Sequence, residues 1–161
     1  MEILKRIEYI IDLYYNKKKS IAIAESCTGG FICHMITNIS GSSKIFDRGV
    51  ICYSNQAKKD ILNINEEILV KYGAVSEIVA NQLSNNIRTL SNVDVGLGIT
   101  GIAGPTGGTP LKPVGLVYIG FSSIEKTIIK KYIIKANRIN FKEKVLEKVL
   151  ILLEDFIEKR I

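Results

Sequence analysis

The chain has 161 residues, 47% hydrophobic and 24% charged, a balance that fits one folded domain and argues against disorder. Its 22 Lys+Arg against 16 Asp+Glu give a formal net charge of +6, but the lysines are scattered apart from Lys17–Lys19, so nucleic acid is not the expected partner. No apolar stretch approaches the ~20 residues of a membrane span, and Glu2 and Glu8 interrupt the first apolar pattern, so the expectation is a soluble cytoplasmic domain with no membrane partner.

In chain order, Ile3, Ile7, Ile10 or Ile11 and Tyr14 recur at helical spacing and predict an amphipathic helix over 2–16. Residues 20–24 are short and apolar, a buried strand. Thr28-Gly29-Gly30 breaks it, and 31–39 continues as a helix. Residues 46–53 form the next strand, entered from the turn-like segment 40–43. Ser54 then caps a helix running to Leu62. Helices follow over 65–72 and 76–91, the second capped by Ser76. A strand over 93–100 leads into a loop, 101–113, that holds four glycines and three prolines. Strands 114–122 and 126–134 are joined too tightly for a helical crossover, so they pair antiparallel. A helix over 139–158, with an apolar stripe through Phe141, Val145, Val149, Leu152 and Phe156, closes the chain. This alternation predicts a single three-layer α/β/α domain, residues 1–161, with a mixed, mostly parallel sheet.

Chemistry concentrates at two strand ends. Glu25-Ser26-Cys27-Thr28-Gly29-Gly30 sits where a strand turns into a helix, and its glycines allow close approach of a ligand to backbone N–H groups. Ser26 is a candidate nucleophile there, with N–H groups from Cys27 to Gly30 as an oxyanion hole. A plain strand–turn–helix with polar caps is the competing reading. A serine needs a base. His34, the single histidine, falls within an apolar helix and suits packing better than catalysis. Lys58 lies in the first turn after Ser54, where the positive helix end disfavours an ammonium and burial would lower its pKa further. An ordinary solvated lysine is the alternative. Tyr53 could relay a proton, or simply be a half-buried strand tyrosine. The second loop, from Thr100 through Gly101 and Gly104 to Pro110, is not a Walker loop, yet it offers N–H and hydroxyl groups beside the same strand edge. Cys27, Cys33 and Cys52 form no CxxC pair, and no His/Cys/Asp cluster has metal spacing, so neither a disulfide framework nor a metal is expected.

These segments occur in one order: Glu25–Gly30, Gly41–Ser43 with Phe46, Gly49–Asn55 with Lys58, Gly73–Ser76, and Thr100–Pro110 with Lys112–Gly115. Together they resemble the C-terminal domain of the competence/damage-inducible CinA family, also found as stand-alone nicotinamide-nucleotide amidases. The likeness runs from about residue 4 to residue 155. It implies a metal- and cofactor-free amidohydrolase that converts nicotinamide mononucleotide (NMN) to nicotinate mononucleotide and ammonia. On this resemblance Ser26 is the nucleophile, Lys58 and Tyr53 its catalytic partners, and Thr100 an active-site threonine. Cys27, Thr28, Gly29, Gly30, Gly101 and Gly104 would line the substrate. Arg138 is a candidate for the substrate phosphate.

Two departures stand out. The family's glycine-aspartate-arginine before the last helix reads Ala136-Asn137-Arg138 here, and its second arginine is replaced by Lys142, which lacks a bidentate fork. The alternative function is a non-catalytic nucleotide-binding or regulatory module of the competence or DNA-damage response. The apolar terminal helix suggests a homo-oligomer.

Overall fold

Alternation within the first strand decides the architecture. The computed structural model describes residues 2–161, and in it β1 (Ile21–Glu25) is buried at every position. Ile21 and Ile23 face one apolar core while Ala22 and Ala24 face another, as the two-residue period of a strand requires. The first core takes α1 (Glu2–Asn16), α2 (Phe31–Thr37) and α6 (Arg138–Ile157). The second takes α3 (Asn55–Leu62), α4 (Glu66–Tyr72) and α5 (Glu77–Ser91). Helices therefore cover both faces of the sheet, giving the three-layer α/β/α domain expected from the sequence.

Five strands make the sheet in the order β2-β1-β3-β4-β5. β2 (Phe46–Ile51) and β3 (Val95–Gly101) flank β1 and run parallel to it. β4 (Leu116–Ser122) is antiparallel to both β3 and β5 (Thr127–Ile133), and the last pair is the expected hairpin, in register from Leu116↔Ile133 to Ser122↔Thr127. Four strands thus point one way and β4 is reversed. The sheet is mixed, with two parallel and two antiparallel ladders.

The two faces differ in how closely helices approach. On the α5 side, a Cβ at Gly98 would stand 2.5 Å from Ser84 N and 2.8 Å from Ala80 O. The α5 backbone lies directly on β3, a contact only glycine permits. On the other side larger side chains fill the space, with Phe141, Val145, Val149 and Leu153 of α6 fully buried.

Element ends differ from the sequence reading by a residue or two, each for a local reason. β2 ends at Ile51 rather than 53: Cys52 N still donates to Glu25 O (2.9 Å), but the chain then turns into the α3 cap, where Ser54 Oγ accepts from Ala57 N. β3 starts at Val95 because the Asp94 carboxylate is held by Ser20 N and by Lys19 Nζ (2.8 Å). α6 starts at Arg138, one residue early. Asn137 is its cap, with Oδ1 accepting from Ile139 N and Asn140 N.

Candidate active site

The β1/β3 ladder extends one residue past β1, as Ser26 N donates to Ile99 O (3.0 Å), and this fixes the serine at the sheet's edge. A tight turn follows, with Gly29 (φ 62°) and Gly30 (φ 91°) both left-handed. The next strand in the chain and adjacent to β1 in the sheet, β2 leads into α3. Its cap places Lys58 in the first helical turn, pointing back toward β1.

Lys58 Nζ lies 2.9 Å from Ser26 Oγ and donates to the backbone carbonyls of Cys52 (2.9 Å) and Tyr53 (3.2 Å). The lysine is 1% exposed, and among the described residues no carboxylate pairs with it. Burial therefore pushes its pKa below the ordinary lysine value of 10.5; the Cys52 and Cys27 thiols oppose this only in part. In the neutral form an amine has two N–H donors and one lone pair. Two carbonyls, which can only accept, take the donors, and the lone pair is left for the Ser26 hydroxyl.

A cleft of about 270 Å³ opens over this pair. Cys27, Thr100, Gly101 and Arg138 line it together with Ser26, Lys58 and Tyr53. Thr28, Gly29, Gly30 and Gly104 do not line it. The N–H groups of Gly30, Ile32 and Cys33 are not free for a ligand, since all three donate to the carboxylate of Glu25. With Gly29 N donating to Ser26 O and Thr28 buried outside the cleft lining, the expected N–H array from Cys27 to Gly30 narrows to Cys27. Gly104 serves instead through its carbonyl, which takes Arg138 Nη1 (2.9 Å). Thr100, 1% exposed, donates its hydroxyl to Ala74 O (2.8 Å) and so holds the α4–α5 turn against the cleft.

Tyr53 sits at the cleft rim. Its backbone carbonyl touches Lys58, while the residue is 58% exposed and its phenol oxygen accepts from Arg138 Nη2 (2.8 Å). Among the described residues the phenol makes no hydrogen bond to Ser26 or to Lys58 Nζ. Arg138 is thereby held at two points over the cleft, with three of its five N–H groups free. One helical turn on, Lys142 Nζ comes within 3.7 Å of where a side chain on Gly29 would stand. Cations from α6 thus flank the nucleophile turn.

His34 is exposed on α2 and meets Asn38. All three cysteines are free thiols, and burial raises the Cys27 pKa to about 12, so it stays protonated beside Ser26. Among the described residues no three His, Cys, Asp or Glu side chains gather as metal ligands, and no helix is long and apolar enough to cross a membrane. The sequence reading missed Ala74 and Val75, which form part of the cleft wall. Their only signal was their place in the Gly73–Ser76 segment.

A three-layer α/β/α domain with a buried serine–lysine pair at a parallel strand edge is the class these features define. The family model of the CinA C-terminal domain matches residues 4–157, and the chain belongs to that family. It is 51% identical over 131 residues to a putative competence-damage inducible protein of Thermoanaerobacter pseudethanolicus, covering 81% of this chain and 32% of the relative. A CinA-like protein of Kosmotoga olearia is 49% identical over 124 residues, 77% of this chain and 30% of the relative. The chain spans about a third of the length of these curated relatives. Among solved structures, the competence/damage inducible protein CihA of Agrobacterium tumefaciens superposes with a TM-score of 0.89 at 34% identity, covering 98% of this chain and 95% of the other. The competence damage-inducible protein A (ComA) of Klebsiella pneumoniae gives 0.91 at 25% identity, covering 96% of each chain.

Proposed function

We propose that this chain is a Ser/Lys amidohydrolase acting on a nucleotide carboxamide, with NMN as substrate and nicotinate mononucleotide and ammonia as products. The observation that carries the reading is the 2.9 Å contact between Ser26 Oγ and a lysine that is 1% exposed and has no carboxylate partner. An ion-paired surface lysine is held as an ammonium; burial without a carboxylate partner shifts the balance toward the neutral amine that a general base needs.

In the proposed reaction Ser26 Oγ attacks the carboxamide carbon and its proton passes to Lys58 Nζ. The C–O⁻ of the tetrahedral intermediate is met by the Cys27 N–H of the following turn. Collapse breaks the C–N bond, and Lys58 returns the proton to the departing ammonia. Water then attacks the acyl–serine ester, giving up a proton to Lys58, which passes it to the released Ser26 oxygen. Arg138 and Lys142 supply positive charge for the phosphate of the substrate.

The test is ammonia release from NMN, with EDTA present, by wild type, Ser26→Ala and Lys58→Ala. Turnover by wild type alone, with both variants reduced by at least ~10³-fold, supports the reading. Near-normal rates in either variant overturn the pair. NMN binding without ammonia release from wild type would favour the regulatory-module alternative.

A further inference from the structure

Glu25, the last residue of β1, is fully buried. Among the described residues no Lys or Arg forms an ion pair with it. Its carboxylate is held by backbone N–H groups: Oε1 accepts from Cys33 N (2.7 Å), and Oε2 from Gly30 N (3.0 Å) and Ile32 N (3.3 Å). These are charge-assisted bonds, and the start of α2 adds its partial positive charge. The rest of the turn is also accounted for. Ser26 N donates to Ile99 O, Gly29 N to Ser26 O, and Phe31 N to Thr28 O.

Two backbone donors remain. Cys27 N and Thr28 N have no acceptor among the described residues, although Cys27 is 6% exposed and Thr28 is fully buried. The Thr28 hydroxyl is a further buried group without a partner. Unpaired buried donors cost free energy and are rare in folded chains. Here they sit directly after the serine whose oxygen meets Lys58. Donors held ready for charge that develops only during reaction are what an oxyanion hole requires.

We infer that Glu25 is a positioning residue for catalysis: by taking up the Gly30, Ile32 and Cys33 N–H groups at the α2 start, it holds the 26–29 turn so that the unpaired N–H of Cys27, a residue of the cleft wall, serves the oxyanion. This rests on the serine-nucleophile reading above. The same residue steadies the base. Its carbonyl takes Cys52 N (2.9 Å), and the Cys52 carbonyl takes Lys58 Nζ (2.9 Å). Nucleophile turn and lysine support are thus tied to one residue.

The test uses Glu25→Gln and Glu25→Asp. Gln matches Glu in shape, but its amide NH2 opposes one of the backbone donors, so three N–H groups cannot all be met. Asp keeps the charge and is one methylene short. Kinetics with NMN are read beside the affinity for 3-pyridineboronic acid. There Ser26 Oγ adds to trigonal boron, the serine proton moves to Lys58, and the tetrahedral boronate carries the negative charge.

A folded Glu25→Gln protein is expected to lose ~10- to 100-fold in kcat with KM within about twofold of wild type. Its boronate affinity should fall by a similar factor. Glu25→Asp should show a smaller loss of the same kind, and it carries the test should Glu25→Gln not fold. Wild-type kcat and boronate affinity in the folded variants overturn the inference. A loss confined to KM does so equally. A wild-type protein that forms no boronate adduct removes the serine-nucleophile reading, and this inference with it.

Discussion

At the scale of single residues, the site turns on a lysine whose surroundings favour its uncharged form. Lys58 is enclosed by backbone carbonyls, thiols and a serine, and burial outweighs the thiols in setting its pKa below 10.5. Turnover should therefore fall as pH drops through the folded-state pKa, about tenfold per pH unit once the ammonium dominates, in a kcat/KM profile with NMN. A level profile down to pH 5 would contradict the assignment. Linkage gives a second expectation. A base whose folded pKa lies below its unfolded value binds fewer protons in the folded state, so its contribution to stability rises with pH up to 10.5. Denaturant melts of wild type and Lys58→Met should diverge in favour of wild type as pH is raised from 7 toward 10. A pH-independent difference would mean an unshifted lysine. Tyr53 acts on the neighbouring group. Without its hydroxyl, Arg138 keeps only the Gly104 carbonyl. Tyr53→Phe should raise KM for NMN by roughly 3- to 10-fold, with kcat within about twofold. A collapse of kcat instead would restore the phenol as a proton donor.

At the scale of elements, the sheet edge is built by caps and by close packing. Ser54 and Asn137 end two loops by accepting backbone N–H groups, and each cap delivers a site residue one to four positions later, Lys58 or Arg138. The Ala136-Asn137-Arg138 departure from the family pattern is thus absorbed, since Asn caps about as well as Asp. The 102–114 loop is strapped on both sides, by Arg138 on Gly104 and by Lys112 Nζ on the Tyr72 carbonyl. α5 supports the strands beneath it through glycine contacts. Gly98→Ala would set a methyl 2.5 Å from Ser84 N, and backbone cannot yield as a side-chain tip can. A loss of about 2–3 kcal/mol is expected, lowering Tm by roughly 5–10 °C in a chain of this length. An unchanged Tm would mean that α5 can slide on the sheet. The apolar stripe of α6, which suggested self-association, is spent on the chain's own core.

Over the whole molecule, positive charge is divided between two ends of the sheet. Arg138 stands over the cleft and Lys142 beside Gly29 of the nucleophile turn, while Lys17, Lys19, Lys126 and Lys159 line a separate hollow of about 460 Å³ before the start of β1 and at the β4–β5 turn. The two are separated by the length of a strand, roughly 17 Å for five residues, about twice the screening length at physiological salt, ~8 Å. Lys126→Gln with Lys159→Gln should leave kcat/KM for NMN within about twofold at 150 mM salt. A tenfold fall would show that the far hollow takes part in substrate capture. The net charge of +6 therefore says little about the site until its placement is known.

The sequence by itself determined the layers, the strand and helix identities, and the candidates Ser26 and Lys58, which follow from hydrophobic period, capping residues and strand–turn spacing, all of which act over a few neighbours. Arg138 entered as a candidate only through the family resemblance. Tertiary structure alone decided which candidates meet. Ser26 and Lys58 are 32 residues apart and come together because β2 pairs beside β1. Tyr53 and Arg138, 85 residues apart, pair because α6 returns to the same edge of the sheet. Glu25 looked like part of a glycine turn, and its hold on α2 depends on a buried carboxylate folding forward onto N–H groups five to eight residues on. Burial, which lowers the Lys58 pKa and closes off Glu25, is a property of every layer packed around them and is not carried by any short stretch of chain.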